Sequence, residues 1–401
     1  MRTRYRSALL AILACGVLLP AGCARFDDSA AGQTFSPAPV ASPESPPEVQ
    51  GPGADSGGNG KQAPPGQSAT PVPPPQGCKD FDPSVIATCL DTVAAVAGLP
   101  GDGSTPSALA GERKSGRVLL ATAGKDATDF AKLDVQAAGD GGLTGLALSP
   151  SYVEDQLVFA YLTTPTDNRV VRFAKGQAPK PVLTGIPKGA TGNRGAISAD
   201  NRGALLVATG DAGNPNAAAD PNSLAGKVLR IETSGKAAAG NPNGSLVVAA
   251  GLHAPGGLCA SADGGRVWVT DRLADKDALY RIQAGQPLTP AWTWPDKPGV
   301  AGCADFVDAN GSVSVGTSLA GNLQNLPVTA EGAVSGKPTV SLDGKTGKPP
   351  ATFGRLAGMS MINPQLAVAG TVNKDGGVPV SSDDRVVLIT PATSGGGNSK
   401  D

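Results

Sequence analysis

From residue 78 onward, short aliphatic and β-branched runs recur, each bounded by glycine, aspartate or asparagine. They fall into pairs. Arg117–Thr122 is followed by Phe130–Val135, Gln156–Tyr161 by Val170–Phe173, and Ala204–Thr209 by Lys227–Ile231. Arg266–Thr270 then precedes Ala278–Ile282, Ser312–Val315 precedes Thr339–Leu342, and Gln365–Ala369 precedes Arg385–Thr390. Runs of this length with turn residues between them read as antiparallel strands. Six pairs that begin roughly 40 to 60 residues apart match the repeat of propeller blades, in which neighbouring sheets stack and the ring closes its own edges. The expected fold is all-β, a six-bladed β-propeller over residues 78–392. A β-sandwich is the rival, but this stretch is long for one sandwich. Residues 83–96 read as a strand or a short helix entering the ring.

Composition supports strands and turns over helices. Glycine (55) and proline (36) are abundant, aromatic residues make 4% of the chain and charged residues 17%. Long amphipathic helices need the opposite balance. A net charge of -1 argues against a nucleic-acid partner. The one histidine, His253, excludes a zinc centre built on several histidines and leaves a Ser-His-Asp site a single possible base.

The N-terminus carries an export pattern. Arg2, Arg4 and Arg6 precede the apolar stretch Ala8–Leu19, which ends in Leu19-Pro20-Ala21-Gly22-Cys23. Small residues before a cysteine resemble a bacterial lipobox, with Pro20 where Leu or Val is usual. Residues 1–22 are therefore expected to be a lipoprotein signal peptide and Cys23 the acylated N-terminus. That would hold the chain at the cell membrane on its extracytoplasmic face. An ordinary secretory signal is the alternative. Residues 24–77 hold 12 of the 36 prolines. Such sequence buries too little apolar surface to fold. Residues 23–77 read as a disordered tether with a reach on the order of 40 Å, and 393–401 as a disordered tail. Cys78, Cys89, Cys259 and Cys303 remain, an even number in an exported chain. Cys78–Cys89 and Cys259–Cys303 is the expected pairing, two others being open. The absence of a Cys-x-x-Cys spacing argues against zinc.

Three segments resemble the soluble quinoprotein glucose and sorbosone dehydrogenases. They are Gly139–Tyr152, with its Gly-Leu-Thr-Gly-Leu-Ala core, Gly210–Ile231, running from Gly-Asp-Ala-Gly to Lys-Val-Leu-Arg-Ile, and Gly251–Leu258. The resemblance implies a six-bladed propeller with pyrroloquinoline quinone (PQQ) and calcium on its top face. It also implies a histidine base about eighteen residues before the Gly-Asp pair, which draws the sugar proton as hydride leaves for PQQ. Here that position is Gly192, followed by Asn193 and Arg194. Neither an amide nor a guanidinium replaces an imidazole as base. The family's Arg-Asn-Pro-Gln-Gly segment becomes His253-Ala254-Pro255-Gly256-Gly257, and its calcium and cofactor loop becomes Asp271–Asp277 without a Gly-Pro turn.

No catalytic residue is therefore assigned, and neither PQQ nor calcium is expected unless the family activity survives. Asp140, Arg194, Asp211, His253, Asp271 and Arg272 fall at strand exits that the resemblance brings to the top cleft. A cleft of this kind suits a carbohydrate or an envelope protein. Asp211, Asn214, Asn216 and Asp220 are spaced for calcium, or else cap turns through their own backbone. A non-catalytic binding protein is the first reading. A quinoprotein with a rearranged site, using His253, is the second, and a calcium-dependent hydrolase or lactonase the third.

Overall fold

A computed structural model describes residues 72–345 and 352–391. The expected signal peptide (1–22), acylated Cys23, the tether through residue 71 and the tail 393–401 lie outside the described residues. The folded part consists of six four-stranded antiparallel sheets. Their innermost strands are Val93–Gly98, Leu143–Leu148, Gly195–Ala199, Pro255–Ala260, Val300–Phe306 and Leu356–Asn363. Each packs on the next around the ring, and the last packs on the first. Val85–Ala87 supplies the outer strand of the sixth blade by pairing with Val386–Ile389, so the two ends of the propeller close in one sheet. The seam is reinforced by Cys89 N–H and Leu90 N–H, which donate to the carbonyls of Ser382 and Asp384.

Each of the six blade interfaces holds one apolar cluster, as expected where a sheet cannot bury both faces alone. Trp268 and Trp294 fill the interface of blades four and five, where the disulfide Cys259–Cys303 joins their inner strands. The second disulfide is Cys78–Cys89, so both pairings are as expected.

The six strand pairs belong to six different blades, in ring order. In blades two, three, four and six they are the two middle strands. Two details differ. The partner of Arg117–Thr122 starts at Lys125, and Ser312–Thr317 pairs with Leu323–Pro327 before Thr339–Ser341 joins. Residues 83–96 contain parts of two strands, the closing Val85–Ala87 and the innermost strand of blade one.

The innermost strands were the ones hidden in the hydrophobic pattern, because they are rich in glycine and alanine. Crowding at the axis explains that composition. A Cβ on Gly302 would stand 2.3 Å from Met359 N, and one on Gly358 would stand 2.6 Å from Ala94 O. Five of the six inner strands also carry a register shift near the end where they enter the ring. Bulges there turn backbone and side chains toward the axis.

Candidate functional site

Those entering ends surround a small cavity of about 170 Å³ at the mouth of the central channel. Four arginines from four blades line it. Arg113 follows the strand Ser107–Glu112, Arg194 directly precedes Gly195–Ala199, Arg272 ends Val267–Arg272, and Arg355 directly precedes Leu356–Asn363. Asp140 and Asp375 complete the charged lining.

The two carboxylates are already engaged. Asp140 accepts the Gly192 and Asn193 backbone N–H groups, both at 3.1 Å. Asp375 pairs with Arg113 at 2.8 Å and Lys114 at 3.1 Å. Partial burial raises Asp375, but the two cations outweigh it and hold the carboxyl below its ordinary range. Arg113 also donates to Gly141 O at 2.8 Å. The other three arginines have no carboxylate within ion-pair distance among the described residues. Arg272 donates to Val300 O, Gly299 O and Ser318 Oγ at 2.7 to 2.8 Å, bracing blade four against blade five. Burial, then Arg194 and Arg355 nearby, push its pKa down to about 9. Arg355 donates to Gly376 O at 2.6 Å, while its Nε is buried with no partner among the described residues. Arg194 donates to no protein acceptor among the described residues, and burial lowers its pKa.

Gly192 lies under this mouth with φ +71°. A Cβ there would stand 2.5 Å from both Asp211 Oδ1 and Gly213 N. The loop it belongs to is locked. Gly192 O accepts the Ala212 N–H, and the buried Asn193 side chain accepts from Gly189 N–H and Asn168 Nδ2. The position therefore has room for no side chain, and no base.

Of the six residues expected in the cleft, Asp140, Arg194 and Arg272 line the mouth. The other three form a group beside it. Asp271 is fully buried and accepts the N–H groups of His253 and Ala254, and His253 O accepts the Asp211 N–H. His253 Nδ1 stands 3.6 Å from Asp271 Oδ2, an ion-pair distance too long for a hydrogen bond. That carboxylate raises the His253 pKa against the opposing effect of burial. Arg113, Arg355 and Asp375 were missed. The available signal was position: Arg355, like Arg194, is the residue immediately before an inner strand.

Asp211 Oδ1 accepts the Gly213 N–H, Asn214 Oδ1 accepts the Asn216 N–H at the start of the helix Pro215–Ala219, and Asp220 Oδ1 accepts the Asn222 N–H. These are turn-capping roles. At the other end of that helix the Lys227 ammonium donates to the carbonyls of Ala217, Ala218 and Ala225 at 2.7 to 2.9 Å. Among the described residues no group of three or more His, Cys, Asp or Glu stands together to hold a metal. The mouth is equally poor for PQQ. Its arginines suit carboxylates, but 170 Å³ is well below the roughly 300 Å³ at which pockets for molecules of that size begin. The cavity is too small to enclose PQQ.

A larger cavity of about 400 Å³ opens at the opposite ends of the inner strands, between Leu146, Ile197, Leu258, Met359 and the Cys259–Cys303 disulfide. Glu154 is the only carboxylate in its lining, so it lacks the charge pattern of the mouth.

A family model described as Glucose / Sorbosone dehydrogenase matches residues 94–297, half of the chain. Among solved structures, the PQQ-bound aldose sugar dehydrogenase of Streptomyces coelicolor is 28% identical. The match covers 79% of this chain and 99% of that one, with a TM-score of 0.68. A candidate glucose dehydrogenase of Thermus thermophilus is 27% identical over 76% of this chain and 98% of that one, TM-score 0.66. The soluble aldose sugar dehydrogenase of Escherichia coli shares the fold at 18% identity, over 77% of this chain and 99% of that one, TM-score 0.62. No curated protein matches the chain.

Proposed function

The chain belongs to the glucose/sorbosone dehydrogenase family, and we propose that it keeps the family scaffold as a lipid-anchored, non-catalytic binding protein of the cell envelope. The carrying observation is Gly192. At the position where the family resemblance calls for the proton-abstracting histidine, the backbone is left-handed and a Cβ would collide with Asp211 and Gly213. The lone histidine does not take over the role, since it does not line the mouth and its imidazole faces Asp271. A shared fold does not carry the chemistry once the reacting groups are gone. The anchor rests on the lipobox at Cys23 and the Pro-rich tether, a layout that resembles a mycobacterial lipoprotein.

Purified protein supplied with PQQ and calcium is expected to reduce no dye with any aldose, and clear turnover overturns the reading. Cys23→Ala is expected to move the chain from the membrane to the soluble fraction. An active quinoprotein is the second reading. It is favoured by the 28% identity along nearly the full length of a PQQ-bound enzyme. Saturable PQQ binding in calorimetry would support it.

A further inference from the structure

The mouth of the channel holds more positive charge than the protein neutralises. Bringing guanidinium groups together in a narrow, partly desolvated space is unfavourable unless a counter-charge joins them. Arg113 has that counter-charge in Asp375. Arg272 has a bracing role that gives its N–H groups neutral oxygens, while Asp277 and Asp140 only partly offset burial and the neighbouring Arg194 and Arg355. Among the described residues, the Arg355 side chain is held by a single carbonyl and keeps a buried Nε without partner. Arg194 has no side-chain hydrogen bond or ion pair among the described residues, and feels Asp140, Asp375 and Asp277 only at longer range. A long cationic side chain at the axis with no direct partner among the described residues is placed to meet one from outside.

We propose that this mouth binds a small oxyanion, a carboxylate, phosphate or sulfate group, with Arg194 as its principal contact and Arg272 and Arg355 beside it. The proposal rests on reading the mouth as a binding site, and it names the chemistry of the ligand. A planar guanidinium offers paired N–H donors that match the two oxygens of such a group. A neutral sugar supplies hydroxyls but no charge, so it leaves the imbalance as it was. The cavity volume of about 170 Å³ admits the anionic group and leaves any attached sugar or chain at the open rim, where Asp375 is 39% exposed.

The test is calorimetry and thermal denaturation of the full chain at low ionic strength with inorganic phosphate, glucuronate, glucose 6-phosphate and neutral glucose. Saturable binding of the anions but not of glucose is expected. Arg194→Gln should weaken it by about tenfold or more without lowering the melting temperature of the free protein, since Arg194 makes no side-chain hydrogen bond or ion pair among the described residues. The exposed-site control Arg202→Gln should retain binding. Tighter binding of glucuronate or glucose 6-phosphate than of phosphate identifies an acidic sugar as the source, and equal binding identifies a free oxyanion. Absence of binding by all three anions, or binding indifferent to Arg194→Gln, overturns the proposal. Dye reduction is measured separately, so a failed anion site and a surviving dehydrogenase activity give different results.

Discussion

Gly192 and Asp211 are packed so closely that a Cβ on the glycine would lie 2.5 Å from the aspartate Oδ1. The same carboxylate oxygen accepts the Gly213 N–H at 2.8 Å, and Ala212 N–H returns to Gly192 O at 2.9 Å. The Gly-Asp-Ala-Gly turn, a segment in which the chain resembles its family, is thus fitted to the glycine that departs from the family. The left-handed glycine and the packing of the turn are one structural arrangement.

Restoring a histidine at this point is therefore expected to fail. Gly192→His must place an L residue at φ +71° and displace the turn. A left-handed conformation costs about 1–2 kcal/mol and overpacking about 1–3 kcal/mol more. A lowered melting temperature with no gain of sugar oxidation is the expected result. A stable, active Gly192→His protein would show that the loop adapts freely.

The two disulfides should differ in weight. Cys259–Cys303 spans 44 residues and joins the inner strands of adjacent blades, whereas Cys78–Cys89 spans 11. By the chain-entropy model, removal costs about 4 kcal/mol for the longer loop and about 3 kcal/mol for the shorter. Denaturant titration of the double-serine variants should preserve that order.

A single histidine makes its titration easy to follow by NMR. Asp271 raises the His253 pKa, so the imidazolium is favoured in the folded state. Its contribution to stability is fully present below the unfolded value near 6.5 and is lost as pH rises through the higher folded value. Asp271→Asn should bring the titration midpoint down. An unshifted midpoint in the wild-type chain would contradict the pairing.

Lys227 is fully buried, and its ammonium ties two carbonyls at the end of the helix Pro215–Ala219 to that of Ala225. Lys227→Met keeps most of the aliphatic volume and removes all three bonds. A charged hydrogen bond contributes about 1.5–3 kcal/mol, so substantial destabilisation is expected, with faster proteolysis in 211–226. Binding at the Arg194 mouth should persist in the protein that remains folded.

Much of this molecule was legible in short-range pattern. Strand pairs such as Gln156–Tyr161 with Val170–Phe173 announce themselves because alternation and turn residues act over a few positions. Both disulfide pairings are equally local or parity-based inferences. Strands such as Gly195–Ala199 escaped because their small residues answer to neighbours around the axis, not to a solvent face. Arg194 and Arg272 were picked from their place at strand exits. Arg113 and Asp375, 262 positions apart, gave no hint that they meet.

Local pattern and composition thus established the strand repeat, its count and the single histidine, since each depends on residue identity or nearest neighbours. Ring closure established the rest. Only when the entering ends of six blades converge do four arginines share one narrow mouth, and only there does it emerge that three have no carboxylate at ion-pair distance among the described residues. Charge balance in such a place is a sum over distant segments, and no stretch of the chain contains that sum.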